Sequence, residues 1–371
     1  MFEGVAIDVS PGGAHESRSG LQMLNPRIWG AFHRAHGSRV AAIVIHPTSN
    51  FMGHYLLKPL ADRGISALGL NTRYVASDES LIFERAIQDL GAGVRWIRSQ
   101  GFERVLLIGN SGGGAFVSFY QAQAEHLDID RTPAGDTVDL LPEQLPPVQA
   151  IALTAAHPGR ARLMECWIDP AVIDEGDLFA SDPALDMFNQ ENGPPYSSAF
   201  MTTYRAAQIA RLDRLEMWAR SKLRQIRSLP DGPQDMAFVI HRTLADPRCV
   251  DPSLDPNDRP PNVTLWGPPR AQNYAPNSIG RFTTLTAFLS QWARCSRADG
   301  PVSLARTSVP VRLIEHTADA STFPSDNDEW ARAAGSRGVR TQLKGGTHYL
   351  TGQPELVAQM ADEIAALAKA I

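Results

Sequence analysis

Apolar runs and amphipathic stretches alternate along the first 155 residues of the chain. Val40-Ala41-Ala42-Ile43-Val44-Ile45 contains no polar residue, the pattern of a strand buried on both faces. Helical spacing follows from about Tyr55 to Arg63, and Ile65 to Leu70 is the next short strand. Ile82, Phe83, Ala86, Ile87, Leu90, Val94 and Ile97 then recur at helical spacing and make one apolar face over about four turns. Arg104 to Ile108 is a further apolar strand, Gly114 to about Glu125 reads as helix, and Val148 to Thr154 is another buried strand. This alternation predicts right-handed crossovers and a parallel sheet covered on both faces.

The pattern breaks at about Pro158. From there to Pro276 the chain is rich in Pro, Asp and Arg. Phe200 to Arg227 predicts one long helix or two consecutive ones, and Asp246 to Pro276 is loop-like, with seven prolines from Pro247 to Pro269. A segment of this length between sheet strands predicts a mainly helical cap inserted after the strand near 148–154. The alternation then resumes. Thr283 to Cys295 and Asp328 to Ala334 are predicted helices, and Val311 to His316 and Val339 to Leu343 are predicted strands. Pro354 to Ala370 is a last helix, with Leu356, Val357, Met360, Ile364 and Leu367 on one face. The expected organisation is a core over 1–157, a cap over 158–275 and a second part of the core over 276–371.

Composition narrows the function. Of 371 residues, 43% are hydrophobic and 20% charged, as in globular proteins. The net charge of −5 comes without a block of like charge, so nucleic-acid binding is not expected. No basic segment followed by a long apolar run opens the chain, and no stretch is long enough to span a bilayer. Cys166, Cys249 and Cys295 are odd in number and far apart, which favours reduced thiols, a cytoplasmic setting and no metal site.

The chemistry is concentrated in Gly109-Asn110-Ser111-Gly112-Gly113, set between a predicted strand and a predicted helix. In that context G-x-S-x-G is a nucleophile elbow, a tight turn that holds a serine in a strained conformation at the start of a helix. A serine hydroxyl needs a base within hydrogen-bond reach, and the base needs an orienting carboxylate. Two late loops supply both. One strand runs into His316-Thr317-Ala318-Asp319, the other into Lys344-Gly345-Gly346-Thr347-His348. Asp326 and Asp328 compete with Asp319 as the acid, or serve as cap or first-turn residues of a helix.

With this order of Ser, Asp and His, the chain resembles the α/β-hydrolase fold serine hydrolases over roughly 38–157 and 276–371. The resemblance implies an α/β fold with a mostly parallel sheet, helices on both faces and no cofactor. It also implies Ser111 as nucleophile, Asp319 as acid and His348 as base. It further implies an oxyanion hole with one donor at the Gly112 N–H and one on the loop His46-Pro47-Thr48-Ser49-Asn50. Members of the family commonly carry His-Gly there. Pro47 has no N–H, so Thr48 is the expected second donor, with Ser49 behind it and the hydroxyls of both available. His46 is expected to fix the loop through hydrogen bonds, while Ser49, His54 and His157 are candidates to line the substrate pocket.

Other residues have plainer readings. His316 ends a strand and is expected to be structural. Arg205, Arg211, Arg214, Arg220, Arg224 and Arg227 make a solvated helix face with Asp213 and Glu216 as partners, or else a basic wall for an anionic substrate. Met217 and Trp218 are expected to pack, and some of Trp167, Phe179, Phe188, Tyr196 and Phe200 to roof the pocket. The glycine-rich turn lacks both the Lys-Ser/Thr ending of a P-loop and the G-x-G-x-x-G spacing of a dinucleotide site. The reading is a carboxylic-ester hydrolase for a small or medium organic ester, with neither a nucleic-acid nor a membrane partner and with a homodimer left open. The same triad on a thioester, amide, lactone or carbon–carbon bond, or as an acyltransferase, is the alternative. A non-catalytic binding protein is disfavoured by the ordered triad.

Overall fold

The computed structural model describes residues 2–10 and 26–371. In chain order its elements begin with β1 (Phe2–Asp8), β2 (Arg27–His33), β3 (Val40–Ile45), α1 (Leu57–Asp62) and β4 (Ser66–Leu70). There follow α2 (Phe83–Ser99), β5 (Arg104–Asn110), α3 (Gly113–Glu125) and β6 (Ala150–Thr154). Next come α4 (Arg160–Trp167), α5 (Ser198–Arg227), β7 (Ala237–Val239), α6 (Pro269–Tyr274), β8 (Phe282–Thr284) and α7 (Leu285–Gln291). The last elements are α8 (Gly300–Ala305), β9 (Val311–His316), α9 (Pro324–Ala334), β10 (Gly338–Leu343) and α10 (Pro354–Lys369).

Among the described residues, an eight-stranded sheet runs in the order β1-β2-β4-β3-β5-β6-β9-β10. From β4 to β10 every pairing is parallel. β3 shows how the sheet is held. Ala41, Ile43 and Ile45 point into one hydrophobic cluster, and Val40, Ala42 and Val44 into the other. On the first face lie Phe83 and Leu90 of α2, Phe116 of α3, Leu304 of α8 and Trp330 of α9. On the second lie Leu57 and Leu60 of α1 with Met360 and Ile364 of α10. Each such side chain contributes about 1.5–3 kcal/mol on burial, so both layers grip the sheet firmly.

One edge of the sheet departs from the parallel expectation. β1 pairs antiparallel with β2, and β2 antiparallel with β4, so Val40–Ile45 is the third strand of the chain. Val5, Ile7 and Val9 are buried and alternate with exposed residues, a period-two signal at the very start of the sequence.

The insertion after β6 is built on α5. It is one unbroken helix, begun by Ser197, whose hydroxyl accepts the Phe200 N–H at 3.1 Å. Leu212, Leu215, Ala219 and Leu223 pack with Met164 and Ile168, and also with Leu285, Phe288, Leu289 and Trp292. β8 pairs with β7. The cluster under the insertion thus extends past residue 275 to Trp292 and Ala293. The chain then returns to the sheet, where Leu304 joins the first-face cluster.

The register aligns the C-terminal ends of the parallel strands. Ile45 lies beside Gly109, Asn110 beside Thr154, Thr154 beside Ile314, and Leu343 beside His316. The loops leaving β3, β5, β6, β9 and β10 therefore emerge along one edge. That edge is where open α/β sheets place their sites.

Candidate active site

The loop leaving β5 is a tight turn with Ser111 at φ +56°, in the left-handed region that costs an L-residue energy. Its N–H donates to Thr154 O at 3.1 Å, and its carbonyl accepts the N–H of Gly114 at 3.0 Å and of His157 at 3.0 Å. The turn is thus fixed from β6 and from its own helix. Gly113 permits the approach of α3 to β3, since a Cβ there would lie 2.1 Å from Ile45 O. The Gly112 N–H precedes the helix and has no intrahelical acceptor.

Three loops converge on this serine. His348 Nε2 lies 3.0 Å from Ser111 Oγ, and His348 Nδ1 lies 2.7 Å from Asp319 Oδ2. Asp319 is fully buried and fully partnered. Its Oδ1 accepts the N–H of Ser321 at 2.8 Å and of Thr322 at 3.2 Å, and its Oδ2 also accepts the Thr322 hydroxyl at 2.7 Å. Burial alone would push this carboxyl up. The facing His348 and these hydrogen bonds outweigh it and hold the carboxyl at about 2. Asp326, the competitor, instead accepts the Phe323 N–H at 2.9 Å at the start of α9, and burial pushes it up to about 6.

The loop after β3 folds differently from expectation. The Thr48 N–H, expected to face an oxyanion, donates to His46 Nδ1 at 3.1 Å, and the Ser49 N–H donates to the same nitrogen at 2.9 Å. The Thr48 hydroxyl is engaged as well, accepting from Arg160 Nη2 at 2.8 Å. Both amides thus turn back onto the His46 ring instead of toward Ser111.

A cavity of about 360 Å³ opens over the serine, bounded by His46, Thr48, Ser49, Ser111, Gly112 and His157 among others. His157 Nε2 lies 3.0 Å from the Ser321 hydroxyl, and its ring packs 5.5 Å from that of His348. Burial, reinforced by His348, pushes His157 down to about 3, so this wall is neutral. His54 lies apart from the cavity. Its Nδ1 accepts the Leu56 N–H at 3.2 Å, and its ring stacks on Tyr55 at 4.2 Å. His316 bridges Thr154 Oγ1 at 3.0 Å and Thr347 O at 2.8 Å, bracing the histidine loop against β6.

The roof is made by residues the sequence pattern did not single out. Leu265, Trp266, Ile279 and Trp292 cover the cavity, and Tyr349 follows His348 into its wall. The aromatic residues expected there serve elsewhere. Tyr196, Phe188 and Phe200 join Met187 and Tyr204 in a separate cluster, Trp167 packs with Leu163 and Leu244, and Phe179 is exposed. The one available signal was the Leu265-Trp266 pair, an apolar outlier in a Pro- and Asp-rich loop. The α5 arginines do not wall the cavity. Arg211 is buried against Glu175 at 2.8 and 2.6 Å, Arg205 pairs with Asp246 at 2.7 Å, and Arg220 pairs with Glu216 at 3.0 Å. The cavity's cation is Arg160, which pairs with Asp78, bonds Gln291 and lies 4.9 Å from the Trp292 ring.

The cap is clasped to the loop that carries the acid. Asn257 Nδ2 donates to Asp319 O at 2.9 Å, and the Asp258 N–H donates to Thr317 O at 2.7 Å. Arg248 lies 3.9 Å from the Phe323 ring centre, and the Ser325 N–H donates to Asp255 at 3.2 Å.

The overall fold is shared with solved structures. DcsB, solved in complex with its substrate analogue, matches with a TM-score of 0.53 at 13% identity, over 100% of this chain and 98% of that one. GrgF from Penicillium sp. sh18, an alpha/beta hydrolase, matches with a TM-score of 0.50 at 12% identity, over 99% of this chain and 98% of that one. The chain has the α/β-hydrolase fold. No protein-family model and no curated protein sequence matches it. In this chain the loop after β5 carries Ser111, and the loops after β9 and β10 carry Asp319 and His348.

Proposed function

We propose that this α/β-hydrolase-fold chain is a serine hydrolase that cleaves a carboxylic ester of a small or medium organic substrate. The reading is carried by the continuous relay from Ser111 through His348 to Asp319, at 3.0 and 2.7 Å, opening into a cavity of about 360 Å³. Ser111 Oγ attacks the acyl carbon while His348 Nε2 takes its proton. Asp319 accepts from His348 Nδ1–H, fixing the tautomer and stabilising the imidazolium that forms. The carbonyl electron pair moves onto oxygen, where the Gly112 N–H donates to it. Collapse of the intermediate breaks the bond to the leaving alcohol, which takes the proton from His348. Water, deprotonated by the same histidine, then releases the acid and restores Ser111.

The supporting electrostatics are specific. Asp319 is ionised throughout the working pH range, and His157 beside the base is neutral, so it does not repel the imidazolium. The test is labelling with a fluorophosphonate, followed by mass spectrometry of the modified peptide. Stoichiometric modification of Ser111, lost in His348→Ala, is the expected result. Well-folded protein that neither labels nor hydrolyses p-nitrophenyl esters or their thioester counterparts would return the cavity to a binding role.

A further inference from the structure

The elbow offers one backbone donor, and an oxyanion hole needs a second. The amides expected to supply it on the loop after β3 are turned to another acceptor. Pro47 has no N–H, and those of Thr48 and Ser49 both point at His46 Nδ1, at 3.1 and 2.9 Å. Those two bonds determine the state of the imidazole. A nitrogen that accepts two N–H groups carries no proton, so in the neutral ring the proton resides on Nε2. The neutral form is secured by burial and by the nearby Arg160 guanidinium, which hold His46 well below the usual histidine range.

Nε2 faces the elbow. A Cβ built on Gly112 would lie 2.8 Å from it, so only glycine at 112 lets the ring come this close. His46, Ser111 and Gly112 bound the same cavity. Among the described residues, no side chain or carbonyl takes the Nε2 proton, and Nε2 is not sealed from the cavity. A donor whose ring is held by two backbone amides, which lies beside Gly112 and lines the cavity over Ser111, is available to charge that develops during attack on an acyl group.

We propose that His46 is a catalytic residue, donating its Nε2–H to the oxyanion as the second member of the hole in place of the usual loop amide. This rests on the serine-hydrolase reading. His46 keeps its proton throughout, while the proton that moves is Ser111's, taken by His348.

Two substitutions separate the ring's nitrogens. In His46→Asn, Oδ1 stands where Nδ1 stood and still holds the loop amides, but nothing reaches the place of Nε2. In His46→Gln the side-chain amide can donate from near the Nε2 position, while the loop acceptor is lost. With p-nitrophenyl butyrate as probe, His46→Asn should lose ~10²–10³-fold in kcat with little change in KM. Affinity for an alkyl trifluoromethyl ketone, whose hemiketal oxyanion mimics the intermediate, should fall in parallel. His46→Gln should recover at least about tenfold of the lost kcat, since one charge-assisted donor is restored. Nitrogen-15 NMR of histidine-labelled wild-type protein should find Nε2 of His46 protonated, with its proton moving downfield when the ketone binds.

His46→Asn with kcat within about threefold of wild type would overturn the proposal, as would His46→Gln no better than His46→Asn. A loss of that size in Ser49→Ala with His46→Asn still active would move the donor to the Ser49 hydroxyl. Absence of both turnover and Ser111 labelling in the wild type would instead overturn the serine-hydrolase reading, and the role of His46 with it.

Discussion

Glu84 offers a quantitative test of the packing between the sheet and the cap. It lies on α2 with no exposed surface, and its Oε2 accepts the Ser290 hydroxyl at 2.7 Å across the contact with α7. Among the described residues, its Oε1 has no hydrogen-bond partner. Burial, opposed by the Ser290 bond, raises its carboxyl from 4.5 to about 7. The folded state therefore holds the proton more tightly than the unfolded chain. Stability is undiminished below pH ~4.5, falls as pH rises from ~4.5 to ~7, and stays reduced above. At 1.36 kcal/mol per pH unit, the raised value lowers stability by about 3 kcal/mol at pH 8 and by about 1 kcal/mol at pH 5. Glu84→Gln keeps an acceptor for Ser290 and removes the titration. Urea unfolding of wild type and variant at both pH values should thus show the variant's relative stability rising by about 2 kcal/mol from pH 5 to pH 8. A difference independent of pH would mean that Glu84 does not titrate in this window and would refute the reasoning.

Other expectations follow from the site. Asp319→Asn should cost roughly 10⁴-fold in kcat against p-nitrophenyl esters, with the fold retained, while Asp326→Asn should stay within a few-fold of wild type; the reverse order would assign the acid to Asp326. Because Asp319 is held at about 2, its contribution to stability is present above pH ~3.8 and lost only as pH falls toward 2, so acid loss of activity at pH 5 must come from another group. Ser111→Gly and Ser111→Ala should both be inactive, but the glycine variant should be more stable by about 1 kcal/mol, because φ is +56° there; a more stable alanine variant would argue against a strained elbow. Gly113→Ala drives a Cβ against Ile45 O and should lower stability by about 1–3 kcal/mol in urea unfolding, with loss of esterase turnover; unchanged stability and turnover would argue against that close packing.

The core of the fold was legible because both faces of the sheet are covered. Runs such as Val40–Ile45 have no exposed side to disguise them. β1 escaped because its signal is alternation, and a reading tuned to continuous apolar runs passes over Val5, Ile7 and Val9. The elbow was legible because its requirements are local: a strand, a turn and small neighbours, all within ten residues. Asp319 and Asp326 were harder to separate, since both follow the same strand. What distinguishes them is the turn in which Ser321 and Thr322 donate to Asp319, aligning its other oxygen with His348. Pro47 signalled a departure from the common loop, but not that the following amides would fold back on His46. The roof was out of reach for another reason. Trp266, Ile279 and Trp292 meet the serine only through the packing of the insertion, and no local spacing encodes that encounter.

The clasp between the cap loop and the loop of Asp319 bears on how the protein could be re-engineered. Asn257 and Asp258 hold the backbone at Asp319 and Thr317, and Arg248 covers Phe323. A graft that exchanged the whole insertion for a foreign one would also strip the outer support from Asp319, the proposed acid. The stretch from Leu265 to Ile279 lines the cavity downstream of that clasp. Substitutions there reshape the chamber and leave the charge relay anchored, so this short stretch, rather than the cap as a unit, is the natural cassette for changing what the protein accepts.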